Sequence, residues 1–238
     1  QDISGTNPNV VRVRRSIDNA EQDFKAIDTL NGAIETFCGV GGGFVSVWYD
    51  QSGSGNDLVQ TVAGEQPRIV AAGSIETFGG FPAIRNLGGS YSLDFSTGVD
   101  FASDFSIYYP VSHTSFGTAV SFLAQGGTYL RYSATFFRAV FGGTDNGNTL
   151  FDTTLSTDTK YLLSFDRASN VITANINGSD QSNTDTNAGL FETDQLFRRG
   201  TNTTQTLSGY AYELIGYNAT QAKKSQIIDN INSRYNIF

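Results

Sequence analysis

An oxygen-rich turn is the first place in this chain where residue types and spacing could do chemistry. Residues 50–56 read Asp-Gln-Ser-Gly-Ser-Gly-Asn, so Asp50 and Asn56 could offer ligands to calcium or hydrogen bonds to a sugar. The stretch lacks the alternating ligands and bidentate Glu of a dedicated calcium loop, and we expect Asp50 to bond the turn backbone instead. Asp145 lies in a similar loop, whose Asn-Gly pair is first of all a hairpin signal. Both turns are therefore interpreted as structural, with calcium as the alternative, and no cofactor is expected.

A second candidate group surrounds His113, the only histidine of the chain. Without it, neither a Ser/His/Asp triad nor a histidine-containing metal cluster can be built. Together with Tyr108 and Tyr109 it could form an aromatic edge on which a sugar ring stacks. The alternative is an ordinary surface histidine in a Ser/Thr-rich segment, with a pKa near neutrality. We take the three residues as candidate ligand-binding residues and expect His113 to be exposed.

Composition excludes several classes of protein. The 238 residues include 15 Lys+Arg against 23 Asp+Glu, a net charge of -8, which disfavours nucleic acid because its binding depends on basic side chains. No run approaches the roughly 18 apolar residues of a membrane span. The single cysteine, Cys38, excludes an internal disulfide, and the lack of methionine suggests a processed chain or a segment of a larger one. The length favours one domain over residues 1–238.

Short runs of β-branched and aromatic residues between Gly, Asn, Asp and Ser clusters predict an antiparallel all-β sandwich. Arg167 and the acid before it, Asp166, are assigned to a turn. A short N-terminal helix is predicted with Asp28 or Thr29 as its cap, and a C-terminal helix over 220–235 with Asn218 or Thr220 as its cap. The predicted strands cover residues 43–49, 104–111, 119–124, 128–131, 135–141, 161–166, 171–176 and 207–217.

A series of stretches resembles the catalytic domain of the fungal α-L-arabinofuranosidase B family. In chain order they are residues 11–19 (VRVRRSIDN), 36–38 (TFC), 47–58 (VWYDQSGSGNDL) and 66–70 (QPRIV). Many bacterial and phage-borne domains share the WYDQSGxGN motif. Residues 207–218 and the helix after them resemble the end of concanavalin A-like (laminin-G-like) sandwiches. The resemblance implies a two-sheet concanavalin A-like jelly roll with a short N-terminal helical segment and one C-terminal helix.

The resemblance also implies where an active site would lie. The family consists of retaining glycosidases, which need two carboxylates about 5 Å apart. Its nucleophile would fall on the strand around Phe137, but residues 135–142 contain no acid. Its acid/base would fall in the turn at Thr201 and Asn202, where threonine replaces the aspartate. The family also binds its sugar against an adjacent pair of cysteines, whereas this chain has only Cys38, which matches a different position. The resemblance therefore implies the fold without the catalytic carboxylates, with Phe137, Thr201 and Asn202 as candidate ligand-binding positions.

We therefore predict a non-catalytic sandwich for adhesion or assembly on a cell surface, a secreted protein or a phage particle. Its partner would be a carbohydrate or another structural protein, and it could be a homo-oligomer. One alternative is an active retaining hydrolase that uses relocated acids such as Asp145, Asp152 or Glu192, which requires two carboxylates about 5–9 Å apart in a pocket. The other is a purely architectural subunit of a virion or filament, which requires a large interface.

Overall fold

The computed structural model describes residues 7–101, 103–116, 120–141, 144–145, 150 and 154–238, with only the backbone at 144 and 145. The described residues contain two α-helices, α1 (Ala33–Cys38) and α2 (Lys224–Tyr235). They also contain 3₁₀ turns at Ala26–Thr29 and Ala63–Glu65. The strands are β1 (Asn9–Arg15), β2 (Glu21–Lys25), β3 (Gly43–Trp48), β4 (Leu58–Val59), β5 (Arg68–Ala71), β6 (Ser74–Ile75), β7 (Thr77–Phe78), β8 (Phe81–Pro82), β9 (Ile84–Leu87), β10 (Leu93–Phe101), β11 (Phe105–Ser115), β12 (Val120–Gln125), β13 (Thr128–Tyr132), β14 (Phe137–Phe141), β15 (Thr144–Asp145), β16 (Lys160–Ala168), β17 (Val171–Ile176), β18 (Ser179–Thr186), β19 (Phe191–Leu196), β20 (Ser208–Ala211) and β21 (Ile215–Tyr217).

Every described strand pair is antiparallel, and the ladders form two layers. The first layer runs in the order β2-β1-β3-β4-β10-β19-β12-β13-β14-β15. The second runs β18-β17-β16-β11-β20-β9-β5. Strand β21 pairs with the first part of β11, and β20 pairs with its second part. Strand β3 belongs to both, because its Trp48 end pairs with β4 and its Gly43 end with β5. The predicted all-β sandwich is confirmed.

Aromatic side chains fill the space between the layers. Tyr109 of β11 stacks on Phe122 of β12 with ring centroids 5.2 Å apart, although the two strands are not paired. Phe137 of β14 stacks on Phe165 of β16 at 3.8 Å. All four rings are fully buried, and burial of each such side chain stabilises the fold by about 1.5–3 kcal/mol. Contacts between strands that share no hydrogen bonds thus hold the two layers together.

Helix α2 covers the outer face of the second layer. Ile228, Ile231 and Tyr235 point inward and pack with Tyr108 of β11 and Leu162 of β16. This is the apolar face that the i, i+3, i+7 spacing predicts. In the described part of the chain, neither helix has the length and apolar character needed to cross a membrane.

Both helices begin later than the sequence predicts. Helix α2 starts at Lys224, and its N-cap residue, Lys223, makes no side-chain cap, so the predicted caps Asn218 and Thr220 are wrong. Helix α1 starts after Gly32, while Asp28 accepts a hydrogen bond from the Lys25 N–H of the preceding 3₁₀ turn. Short polar residues favour such local backbone bonds, which explains why they resemble helix caps in the sequence.

Candidate functional site

The structure buries the candidate aromatic edge of β11. Tyr108, Tyr109 and His113 have no exposed surface, so the expected exposure of His113 is wrong. Tyr109 belongs to the core between the layers, whereas Tyr108 packs under helix α2 on the opposite face. Successive residues of a strand point to opposite faces. These residues therefore form no solvent-facing edge on which a sugar could stack.

His113 is instead a packing residue. Its Nε2 lies 2.8 Å from the hydroxyl of Tyr132, and its ring stacks on Phe116 at a centroid distance of 4.4 Å. Burial lowers the pKa of His113 to about 3. The imidazole is therefore neutral at neutral pH and carries no charge with which to recognise a ligand.

Of the positions at which the resemblance would place the glycosidase carboxylates, one is buried in the core and the other is exposed. Phe137 is fully buried in the core. Thr201 is exposed, and the side-chain oxygen of Asn202 accepts hydrogen bonds from the N–H groups of Thr204 at 2.9 Å and Gln205 at 3.0 Å. Asn202 thus organises its own turn, and Phe137 does not reach the surface of the sandwich.

The turn over residues 50–56 has the structural role that the sequence predicts. The Asp50 carboxylate accepts hydrogen bonds from Ser52 N at 2.8 Å and Asn56 N at 3.0 Å, while Asn56 Oδ1 accepts one from the hydroxyl of Thr97. Among the described residues, no three His, Cys, Asp or Glu side chains are grouped so that they could hold a metal ion. The side chain of Asp145 lies outside the described part of the chain, as does residue 152.

A polar pocket of about 540 Å³ lies between the β17–β18 hairpin and the start of helix α2. We call it the hairpin–helix pocket. The hairpin turns at Asn177 and Gly178, which have φ values of 52° and 82° as the predicted Asn-Gly turn requires. Atoms of the Phe238 ring lie 3.4 Å from where a Cβ at residue 178 would stand. Polar residues that line the pocket are Asn175, Asn177, Asp180, Lys224, Ser225 and Asp229.

Phe238 gives this pocket an aromatic wall. Its side chain is 52% exposed, so one part of the ring faces solvent while another packs over Gly178. Asn232 holds the backbone around it, because its side-chain oxygen accepts hydrogen bonds from Ile237 N and Phe238 N, each at 2.9 Å. An exposed aromatic ring is thus fixed beside a set of carboxylate, amide and ammonium groups.

Lys224 holds Asp180, a carboxylate of this pocket, beside Asp166, which does not line it. Its Nζ lies 2.8 Å from Asp166 Oδ2 and 2.9 Å from Asp180 Oδ1, so those oxygens are at most about 5.7 Å apart. Hydrogen bonds from Asn175 and Lys224 lower the pKa of Asp180. Burial alone would lower the pKa of Lys224, but its bonds to Asp166 and Asp180 raise it. The lowered pKa of Asp180 favours its ionised form, which is suited to accepting hydrogen bonds and not to proton donation.

Asn175 supplies a buried acceptor to the same pocket. The residue is 1% exposed, and its Nδ2 donates to Asp180 Oδ1 at 2.9 Å. Its Oδ1 accepts no hydrogen bond from the described part of the chain. A buried amide oxygen without a donor costs roughly 1–3 kcal/mol, which a ligand hydroxyl could offset. The pocket therefore has both an unused acceptor and a fixed aromatic ring.

Sequence reasoning missed this pocket because it depends on contacts between distant residues. Asp166 was expected where a strand ends in a turn, whereas β16 continues to Ala168 and Asp166 meets Lys224 of helix α2. The Asn177-Gly178 hairpin and the apolar face of the helix could both be predicted. Only the docking of one on the other shows that they enclose a pocket.

Comparison with known proteins finds solved structures with a similar fold. The sequence matches no protein-family model and none of the curated proteins. The fold is similar to a GH54 α-L-arabinofuranosidase soaked with a cyclic sulfate inhibitor, with a TM-score of 0.64, 13% identity, and coverage of 97% of this chain and 58% of that one. The fold is also similar to an arabinofuranosidase complexed with arabinofuranosyl-α-1,2-xylobiose. That structure gives a TM-score of 0.63 and 13% identity, with coverage of 94% of this chain and 59% of that one.

A sialidase of Trypanosoma rangeli in complex with 2,3-difluoro-KDN gives a TM-score of 0.53 at 11% identity, over 79% of this chain and 31% of that one. This chain therefore spans less than two thirds of each of these proteins. At such identities the likeness concerns architecture, and one architecture hosts many activities. The chain has a β-sandwich of the kind found in these glycoside hydrolases.

Proposed function

We propose that this chain is a carbohydrate-binding β-sandwich without glycosidase activity and that it holds its sugar in the hairpin–helix pocket. The observation that carries the proposal is the combination of the exposed Phe238 ring, the unused acceptor of Asn175 and the ionised Asp180 in one pocket of about 540 Å³. A sugar ring offers an apolar C–H face for stacking and hydroxyl groups that donate to amide and carboxylate oxygens. The proposed site needs no cofactor.

The proposal includes a role in adhesion or assembly on a cell surface, a secreted protein or a phage particle. It is supported by the resemblance of residues 47–58 to bacterial and phage-borne domains and by the lowered pKa of Asp180, which favours binding over acid catalysis. The partner would be a glycan or a glycan-bearing structural protein. Assembly into a homo-oligomer would raise the apparent affinity for a repeated glycan by multivalency.

A second candidate function, retaining glycoside hydrolysis, is favoured by one observation. The nearest oxygens of Asp166 and Asp180 are at most about 5.7 Å apart, close to the 5–5.5 Å that separates the two carboxyl groups in retaining enzymes. Lys224 lies between them and lowers the pKa of Asp180, whereas the mechanism needs one protonated acid. Turnover of an aryl arabinofuranoside that is lost in Asp166→Asn and in Asp180→Asn would favour this candidate over binding alone.

The binding proposal is tested by a glycan array followed by calorimetry of the glycan that binds. Asp180→Asn should weaken binding by about 10- to 100-fold, because a hydrogen bond to a charged group contributes roughly 1.5–3 kcal/mol. Phe238→Ala should also weaken binding, through the loss of the stacking face. Glu21→Gln, an exposed carboxylate on β2, is the matched control and should bind like the wild type. Absence of any bound glycan, or equal affinity in all variants, would contradict the proposal.

A further inference from the structure

A second pocket, of about 630 Å³, opens between the 3₁₀ turn Ala26–Thr29 and the end of helix α2. We call it the aromatic pocket, because Trp48, Phe81, Tyr212 and Tyr235 line it. Its volume falls in the range of about 300–1,000 Å³ that is typical of sites for small molecules. None of the residues named in the hairpin–helix pocket lines it.

Regular secondary structure builds the walls of the aromatic pocket. Val10 and Ile84 belong to strands β1 and β9 and are 8% and 6% exposed. The ring of Tyr235 lies 5.2 Å from that of Tyr212 and 5.9 Å from that of Phe81, measured between centroids. Strands of both layers and helix α2 therefore fix the shape of the pocket before any ligand binds, which lowers the entropy cost of binding.

Polar groups at the wall are already engaged within the protein. The guanidinium of Arg234 donates to Glu213 Oε2 at 2.6 Å and to Asn230 Oδ1 at 2.6 Å. The hydroxyl of Tyr212 donates to the carbonyl oxygen of Phe78 at 3.3 Å. The Arg234–Glu213 pair is neutral as a unit, so the described part of the wall offers no unpaired charge to an ionic ligand. It also offers few free hydrogen-bonding groups to a sugar.

We propose that the aromatic pocket binds an uncharged aromatic small molecule, independently of the sugar site. An aromatic ligand could stack on, or meet edge to face, the rings of Trp48, Tyr212 and Tyr235, and such pairs contribute about 0.5–1.5 kcal/mol each beyond the burial of area. A charged ligand would lose its hydration without gaining a partner. The ligand class thus follows from the ring lining and from the neutralised ion pair.

The test uses the fact that Trp48 is the only tryptophan of the chain and lines this pocket. N-phenyl-1-naphthylamine, an uncharged aromatic probe, absorbs where tryptophan emits. Titration with the probe should quench Trp48 emission and sensitise probe emission, with saturation at one equivalent and a Kd of about 1–50 µM. The anionic probe 8-anilinonaphthalene-1-sulfonate should bind at least tenfold more weakly.

Ala26→Phe fills the pocket and should weaken probe binding at least tenfold. Val40→Phe is the matched control, because it adds the same ring at a position that is 89% exposed and outside the pocket. Asp180→Asn should bind the probe like the wild type, which separates this proposal from the sugar site. Near-ultraviolet circular dichroism confirms that each variant is folded.

Several outcomes would overturn the proposal. They are the lack of saturable energy transfer, equal affinity for the anionic probe, and equal loss of binding in Ala26→Phe and Val40→Phe. Light scattering that shows a dimer, with probe binding only after dilution to the monomer, would assign the pocket to a second copy of the chain and would also overturn it.

Discussion

The buried imidazole of His113 predicts how the stability of the sandwich depends on pH. Burial lowers its pKa from 6.5 to about 3 in the folded chain, while the unfolded chain keeps the ordinary value. The contribution of the neutral ring to stability is therefore fully present above pH 6.5 and is lost as the pH falls towards 3. Throughout the range from pH 6 to pH 4 the unfolded chain holds most of one proton more than the folded chain. This difference lowers the free energy of unfolding by roughly 2.5 kcal/mol.

The assay is urea unfolding of the wild type and His113→Gln from pH 4 to pH 7. Glutamine can still hydrogen-bond the hydroxyl of Tyr132 but does not titrate, and the carboxylates titrate in both proteins, so their effect cancels in the difference. Between pH 6 and pH 4 the wild type should lose roughly 2.5 kcal/mol more than the variant. A difference that stays constant with pH, or an imidazole that titrates near pH 6.5 in the folded wild type, would refute the reasoning.

Three further predictions concern stability. Arg167 is 1% exposed and donates to the carbonyl oxygens of Phe101 and Gly189, so Arg167→Met should lower the free energy of unfolding in urea by about 3 kcal/mol or more. A loss below about 1 kcal/mol would contradict its role. Asp50→Ala should lower stability by about 1–2 kcal/mol in thermal unfolding, because three bonds of the turn are lost, and an unchanged midpoint would show that the turn does not need them. Gly209→Ala should yield little folded protein, because its Cβ would overlap the Ser112 carbonyl oxygen of the paired strand; normal expression and melting would contradict the close approach of β11 and β20.

Strands that bury apolar side chains could be predicted from the sequence, whereas a polar edge strand could not. The prediction for residues 171–176 matches β17 at both ends, because Val171, Ile172 and Ile176 favour extended backbone. Strand β18, with the sequence SDQSNTDT, carries no apolar residue and was not predicted. It pairs with β17 alone among the described strands, so backbone hydrogen bonds and not the burial of apolar side chains determine its conformation.

The positions of charged residues were also hard to predict from the sequence. Arg167 was assigned to a turn over residues 167–170, yet the residues with positive φ are Ser169 and Asn170, and Arg167 lies inside β16. Its guanidinium is held by backbone carbonyls and stacks near Phe105, contacts that composition and spacing do not reveal. Asp166 likewise finds Lys224 only because helix α2 docks beside the hairpin. The turn at Asp50 could be predicted because the hydrogen-bond donors to its carboxylate, Ser52 and Asn56, lie within six residues.

The claim that the hairpin–helix pocket binds a sugar is tested by calorimetry. The array-selected glycan is titrated into the wild type, Asp180→Asn and Glu21→Gln. The claim predicts one site per chain, a Kd that is about 10- to 100-fold weaker in Asp180→Asn, and an unchanged Kd in Glu21→Gln. Equal affinity of the three proteins for the glycan would contradict the assignment of sugar binding to the hairpin–helix pocket.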